Sequence, residues 1–234
     1  SNPLGIFQVG VEYNMMNLES NNLGMRERNT ATINAEQRIL LMDEKLDITP
    51  GVSYTHFSDL DAKIFPGLDI GYAVTNHFKV FGNAGYTYRV PTYTDLYYED
   101  RANVGNEDLQ AEESDNFMVQ LSYKRGIKRG VYNFDVSGFY NGIKNQISLA
   151  VIDASSQLYT YTNIGEFYSN GINFNSGFRY KTYKTTMGFS YIGRYNLDSK
   201  TNPDVKKYSY SPEFSTSFIY EVEEWQTSFN LFYK

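Results

Sequence analysis

The stretch VYNFDVSGFY, residues 131–140, sets Tyr132, Phe134, Val136 and Tyr140 against Asn133, Asp135 and Ser137. Successive side chains of an extended strand point to opposite faces, so this order gives one apolar, aromatic face and one of amides, hydroxyls and carboxylates. The pattern recurs. In GINFNSGFRY, residues 171–180, Ile172, Phe174, Phe178 and Tyr180 oppose Asn173, Asn175 and Arg179. In WQTSFNLFYK, residues 225–234, Trp225, Phe229, Leu231 and Tyr233 oppose Gln226, Ser228, Asn230 and Lys234. A soluble sandwich alternates in the same way, because its outer faces are polar, so alternation alone leaves two architectures open.

The connections separate them. The alternation predicts about eleven strands, near residues 4–18, 30–42, 45–57, 63–75, 78–91, 112–124, 131–149, 158–180, 184–197, 207–220 and 225–234. The odd-numbered links are ESNNLGMRERN, SDLDA, PTYTDLYYEDRANVGNEDLQA, IDASSQ and DSKTNPDVK, most of them long and polar. The even ones, DEK, TNH, KRGIKRG, KTYK and EVEE, are mostly tight. Long loops at one end and short turns at the other are the mark of an up-and-down transmembrane β-barrel, and a Greek-key sandwich has no reason for such regularity. Strands running well past five or six residues fit a tilted bilayer crossing, and Trp225 with the many tyrosines near strand ends fits interfacial girdles. An odd set of strands leaves edges that hydrocarbon does not tolerate, so these residues are expected to form part of a larger barrel.

Composition agrees. Aromatics make up 17% of the 234 residues, with 22 Tyr and 16 Phe, which favours strands and turns over helices. Cysteine is absent, which removes disulfide and thiolate chemistry, and a net charge of −6 argues against a nucleic-acid partner. The first residues show neither a basic nor a continuous apolar segment, so no signal peptide is visible, and no apolar run is long enough for a transmembrane helix. The basic turns KRGIKRG and KTYK read as solubilising charge, with glycine supplying positive φ.

Residues 78–117 carry a resemblance. FKVFGNAGYTYRVPTYTDLYY followed by VGNEDLQAEESDNF resembles the paired motif of TonB-dependent outer-membrane receptors, a strand ending in aromatic-Arg-x-Pro and then a GNxxLxxExS segment opening the next strand. The matching residues are Tyr88, Arg89 and Pro91, then Gly105, Asn106, Leu109, Glu112 and Ser114. YTNIGEFYSNGINFNSGFRY resembles the family's Tyr-x-Asn-x-Gly segment, and the likeness extends over most of the chain. It implies an all-β, antiparallel up-and-down barrel of 22 strands in a Gram-negative outer membrane, of which residues 1–234 would supply about half. The plug and the TonB-engaging segment would belong to the parent molecule. It further implies transport of a scarce nutrient powered through the TonB complex. SNNLGMRERNTA and VPTYTDLYYEDRANVGNEDL look most like corrinoid receptors of the Bacteroidota, which also suggests a surface lipoprotein cap. Siderophore and glycan receptors share the same barrel, and a structural or adhesive barrel is a further alternative. No histidine lies between Thr92 and Val104, unlike the usual pattern of haem receptors.

On this reading residues 92–111 form an extracellular loop at the barrel mouth. Tyr93, Tyr97 and Tyr98 could cover a large flat ligand, and Asp95, Asp100, Arg101 and Asn103 could bond its polar periphery. The competing role for the tyrosines is an interfacial girdle or loop packing, and Arg89 and Pro91 are expected to shape the strand exit. The acidic residues Glu99, Asp100, Glu107, Asp108, Glu112 and Glu113 could hold calcium in the loops, although their spacing is not that of an EF-hand and solvated loop charge explains them more simply. No resident cofactor or metal is expected. Catalysis is not expected either: His56 and His77 fall at opposite rims, and no hydrolase, zinc-protease or nucleotide motif is present.

Overall fold

The computed structural model describes residues 5–153, 155, 157–163, 165–197, 208–222 and 226–234. Eleven strands form one antiparallel sheet in sequence order: β1 (Ile6–Ser20), β2 (Gly24–Leu41), β3 (Leu46–Phe57), β4 (Lys63–Ala73), β5 (Phe78–Arg89), β7 (Glu112–Ile127), β8 (Gly130–Lys144), β11 (Glu166–Tyr180), β12 (Tyr183–Leu197), β13 (Ser209–Val222) and β14 (Thr227–Tyr233). Between β5 and β7 lie a single helical turn, α1 (Tyr93–Tyr97), and the short β6 (Asn103–Val104). Between β8 and β11 lie β9 (Ile147–Asp153) and β10 (Leu158–Asn163), which join β6 in a second, three-stranded sheet.

The register turns period-two alternation into two continuous surfaces. One row across the sheet runs Leu121, Val136, Phe174, Phe189, Phe214, and the next toward the long-loop end runs Val119, Gly138, Ile172, Tyr191, Pro212. The row between them, on the opposite face, is Gln120, Ser137, Asn173, Ser190, Glu213. The apolar face has no covering layer: Val11 is 76% exposed, Val119 57% and Ile172 54%. An apolar surface spanning eleven strands is far beyond what a water-facing protein leaves bare, and its alternation with a polar face is that of a barrel wall with lipid outside. No described helix is long and apolar enough to cross a membrane.

Several expectations need correction. ESNNLGMRERN is not a long link, because β1 and β2 stay paired up to Ser20 and Gly24 and the turn is confined to residues 21–23. Arg26 and Arg28 therefore stand on a strand that projects above the sheet. The expected strands 131–149 and 158–180 are each divided, the first between Lys144 and Ile147 and the second between Asn163 and Glu166, and the pieces on the loop side pair as the β9–β10 hairpin. Gly130 serves a close approach and not a positive φ: a Cβ there would lie 2.1 Å from the Arg179 carbonyl oxygen, and the left-handed residue of the next turn is Lys181, φ 50°. Trp225, the DSKTNPDVK link and part of the EVEE turn lie outside the described residues.

Val119→Lys, at a mid-strand position on the apolar face, should destabilise the complete barrel in bilayers by about 2–4 kcal/mol. Gln120→Lys, on the polar face, should cost far less, and chemical unfolding in vesicles measures both.

Candidate functional site

Among the described residues the buried hydrophobic side chains are Tyr93, Leu96, Leu109 and Tyr195, and the largest fully buried residue is Pro91. All but Tyr195 fall in residues 90–111. A two-faced sheet has no interior, so the link that composition presents as an open loop is instead a small folded body with its own core.

Its construction starts where β5 ends. Pro91 cannot continue the ladder, and Thr92 caps the helical turn: its Oγ1 accepts from the Asp95 amide at 3.2 Å, while the Asp95 carboxylate accepts from the Thr92 amide at 2.9 Å. This is a reciprocal capping box with Asp in place of Glu, a signal present in the sequence as Thr92-Tyr-Thr-Asp95. Arg89 then joins two parts of the motif, donating to Asp95 at 3.1 Å and to Glu112 at 2.8 Å. The same Glu112 oxygen accepts from the Ile147 amide at 2.8 Å, which fixes the start of β9.

The returning segment packs against the turn. Gly105 donates to the Tyr98 carbonyl at 2.7 Å, and a Cβ at Gly105 would meet the Leu96 carbonyl oxygen at 2.5 Å, so no side chain fits there. Asn106 donates its amide to Asp95 and its side chain to the Tyr161 carbonyl at 2.9 Å. Asn163 accepts from the Gln110 amide at 2.7 Å and donates to the carbonyls of Gln110 and Asn145 at 2.8 Å. Tyr161, Asn163 and Gly165 are the Tyr-x-Asn-x-Gly segment, and Gly165 has a φ of 75°. The two sequence motifs thus touch, and β6 alongside β10 completes the bond between the loop and the hairpin.

Two arginines of β2 tie this body to the wall. Arg28, buried, donates through Nε to both Asp59 oxygens at 2.9 and 2.8 Å and through Nη1 to the Pro91 carbonyl at 3.0 Å. Its guanidinium lies 5.1 Å from the Tyr93 ring, and that of Arg26 lies 3.6 Å from the Tyr97 ring. Both distances suit cation–π attraction. Tyr88 packs between Phe57 and Phe65, with centroids at 6.1 and 5.7 Å, near the point where β4 and β5 part at Gly67 and Gly85.

The structure therefore divides the expected ligand residues. Tyr93 and Asp95 are buried inside the body, and burial pushes the Tyr93 hydroxyl above its ordinary pKa. Tyr97 and Tyr98 are half-buried, and Asp100 and Arg101 are exposed. Asn103 bonds the Asp100 carboxylate, which also accepts from the amides of Ala102 and Asn103 at 2.7 Å. Those amides hold the Asp100 carboxyl below the usual range. Of the acidic residues, Asp95 and Glu112 pair with Arg89, Glu113 with Lys63 at 3.5 Å, and Asp100 accepts within its own turn. Among the described residues no group of His, Asp or Glu stands close enough to share a metal ion. Below the mouth, the polar face carries a cavity of about 680 Å³ lined by Gln8, Asn34, Glu36, Ser53, Asn83 and Asn116.

Residues 4–234 match the family model of the TonB dependent receptor-like beta-barrel. The chain belongs to that family. Its members are outer-membrane transport receptors of Gram-negative bacteria, which makes the apolar face the lipid-facing one. A vitamin B12 transporter, BtuB, of Photobacterium profundum is 27% identical over 171 residues, covering 71% of this chain and 26% of the transporter. Solved receptors share the fold at low identity. The Serratia marcescens hemophore receptor HasR aligns with TM-score 0.72 at 11% identity, over 97% of this chain and 50% of the receptor. The FrpB iron transporter of Neisseria meningitidis aligns at 0.71 and 12%, over 96% and 39%, and the siderophore receptor PirA of Pseudomonas aeruginosa at 0.66 and 18%, over 92% and 44%. The chain thus spans about a quarter of the curated relative and half or less of these receptors.

In the complete receptor Gly105→Ala should loosen the mouth body while the barrel stays heat-resistant, seen as faster amide exchange in residues 92–106 alone. Asp59→Ala, which strands the buried Arg28 charge, should destabilise the same body by about 3–5 kcal/mol. The Asp100 turn has a depressed folded pKa, so its contribution is complete above the unfolded value near about 3.9 and disappears as the pH falls through the lower folded one. Exchange across residues 99–104 should be flat, after correction for intrinsic rates, from pH 7 to about pH 5 and rise only below about pH 4.

Proposed function

We propose that the complete receptor binds cobalamin or a related corrinoid at its outer mouth and imports it with energy supplied through the TonB complex. This chain contributes barrel wall and the folded body of residues 90–111 with the β9–β10 hairpin. The likeness to a B12 transporter over 71% of the chain carries the ligand assignment. The mouth geometry supports it: Tyr97 and Tyr98 offer aromatic surface beside the exposed Asp100 and Arg101, on a body held rigid by Arg28 and Arg89. A rigid platform costs less entropy to engage than an open loop does, which suits capture of a scarce nutrient. Tyr93 and Asp95 act in this reading through the shape of the platform, and Tyr97, Tyr98, Asp100, Arg101 and Asn103 through contact. Haem ligation by the loop finds no support, since residues 92–104 contain no histidine and His56 on β3 and His77 in the turn after β4 stand at opposite ends of their strands.

The test is titration of the complete receptor in detergent with cyanocobalamin, with haem and a ferric siderophore as controls. Saturable binding of the corrinoid alone is expected, and Tyr97→Ala combined with Tyr98→Ala should weaken it by about tenfold with the barrel intact. Binding of the siderophore in place of the corrinoid would overturn the assignment.

A further inference from the structure

The lipid-facing surface is not uniform. Its solid row, Leu121, Val136, Phe174, Phe189 and Phe214, carries an apolar side chain on each of β7, β8, β11, β12 and β13. Two residues nearer the long-loop end the row is broken at Gly138, and in the row beyond, Phe117, Tyr140, Asn170, Gly193 and Tyr210, it is broken again at Gly193. Tyr210 lies over Gly193, where a Cβ would come within 2.4 Å of its ring, and stacks on Tyr191 at 4.9 Å and 12°. On the other side Phe117 and Tyr140 pair at 6.3 Å. Between the two aromatic pairs is a notch of about 630 Å³, floored at Gly138 and Asn170 and flanked by Val119 and Ile172.

We propose that this notch binds one acyl chain of an outer-leaflet membrane lipid, with the carbonyl at the head of that chain meeting the Asn170 amide. Three observations select this occupant. The notch is continuous with the apolar surface that faces the bilayer, so hydrocarbon is what reaches it. Its aromatic walls are held by stacking and by the Tyr210 hydroxyl donating to Asn170 Oδ1 at 3.3 Å, which makes it a preformed groove. Asn170 itself is a polar amide on a lipid-facing row, and such a group is costly in hydrocarbon unless its donors are used. Its oxygen is engaged by Tyr210, and its NH2 group is the donor that an ester or amide carbonyl would satisfy. The depth agrees. Asn170 lies four residues below Glu166, where β11 begins, which is about 13 Å along a tilted strand at about 3.3 Å per residue. That places it in the outer third of a 15-residue strand, nearer the long-loop rim than the solid apolar row.

Gly138→Leu puts a side chain into the notch, and its Cβ meets no heavy atom nearer than the Gly171 carbonyl oxygen at 3.9 Å. Asn170→Leu keeps the notch and removes the carbonyl partner. Ala35→Leu adds the same bulk to the apolar face of β2, away from the notch, as a control. The complete receptor and these variants, each checked for heat-resistant folding, would be titrated in detergent with lipid A, an outer-leaflet lipid with ester- and amide-linked acyl chains, and read by native mass spectrometry. The wild type and Ala35→Leu should each hold one lipid at a concentration at least tenfold below further, unspecific uptake. Gly138→Leu should lose that first lipid, and Asn170→Leu should need several-fold more. Equal uptake by wild type and Gly138→Leu would overturn the proposal, and so would a receptor dimer that Gly138→Leu dissociates.

Discussion

The backbone hydrogen bond inside a bilayer is the constraint on which everything else rests. Hydrocarbon offers no partner to a free N–H or C=O, so a strand can cross only if its neighbours satisfy it along its length. The antiparallel sheet from β1 to β14, in which each strand is hydrogen-bonded to the next, is the response. Once that ladder is fixed, register decides chemistry, because a one-residue slip would carry Leu121, Val136 and Phe174 to the polar side and Gln120, Ser137 and Asn173 into lipid. The hydrophobic effect that normally builds an interior is here spent against the membrane. The few interior side chains are consequently gathered where the ladder ends.

That gathering explains the mouth. Residues 90–111 leave the sheet with no wall to pack on, and they fold by burying Tyr93, Leu96 and Leu109 beneath a capped turn. The body is then fastened at three points: by Arg28 to Pro91 and Asp59, by Arg89 to Asp95 and Glu112, and by Asn106 and Asn163 to the β9–β10 hairpin. Charged hydrogen bonds serve well here because the body is small and cannot rely on buried area. The wall below supplies polar side chains, and the body above supplies aromatic ones. The mouth therefore presents two chemically different surfaces, polar below and aromatic above.

Much of the wall was legible from residues alone. Tyr132, Phe134 and Val136 against Asn133, Asp135 and Ser137 announced both faces, and the long link of residues 90–111 marked one end of the sheet, while ESNNLGMRERN misled because most of it is strand. What escaped reading was long-range or local to the mouth. Nothing near Arg28 in sequence foretells Asp59 or Pro91, since the three meet only when β2 projects above the sheet. The breaks at residues 145–146 and after Asn163 were hidden because the hairpin strands continue an apolar–polar alternation, Ile147, Leu149 and Val151 in one and Tyr159 and Tyr161 in the other. The helical turn had a signal, Thr92 to Asp95 after a proline, masked by the tyrosines that favour strands. Gly105, Asn106, Leu109 and Glu112 were recognised as a pattern, but their physical roles, close approach, cross-loop bonding, burial and a double acceptor, came only from the structure.

The assignment of the two faces is the claim from which the rest descends, and the absence of cysteine from this sequence makes it directly testable. Single cysteines at residues 116–122 of β7, spin-labelled in the complete receptor in bilayers, would report oxygen and water accessibility position by position. The account requires residues 117, 119 and 121 to be accessible from lipid and 116, 118, 120 and 122 from water. A reversed phase, or an accessibility that does not alternate along β7, would contradict it.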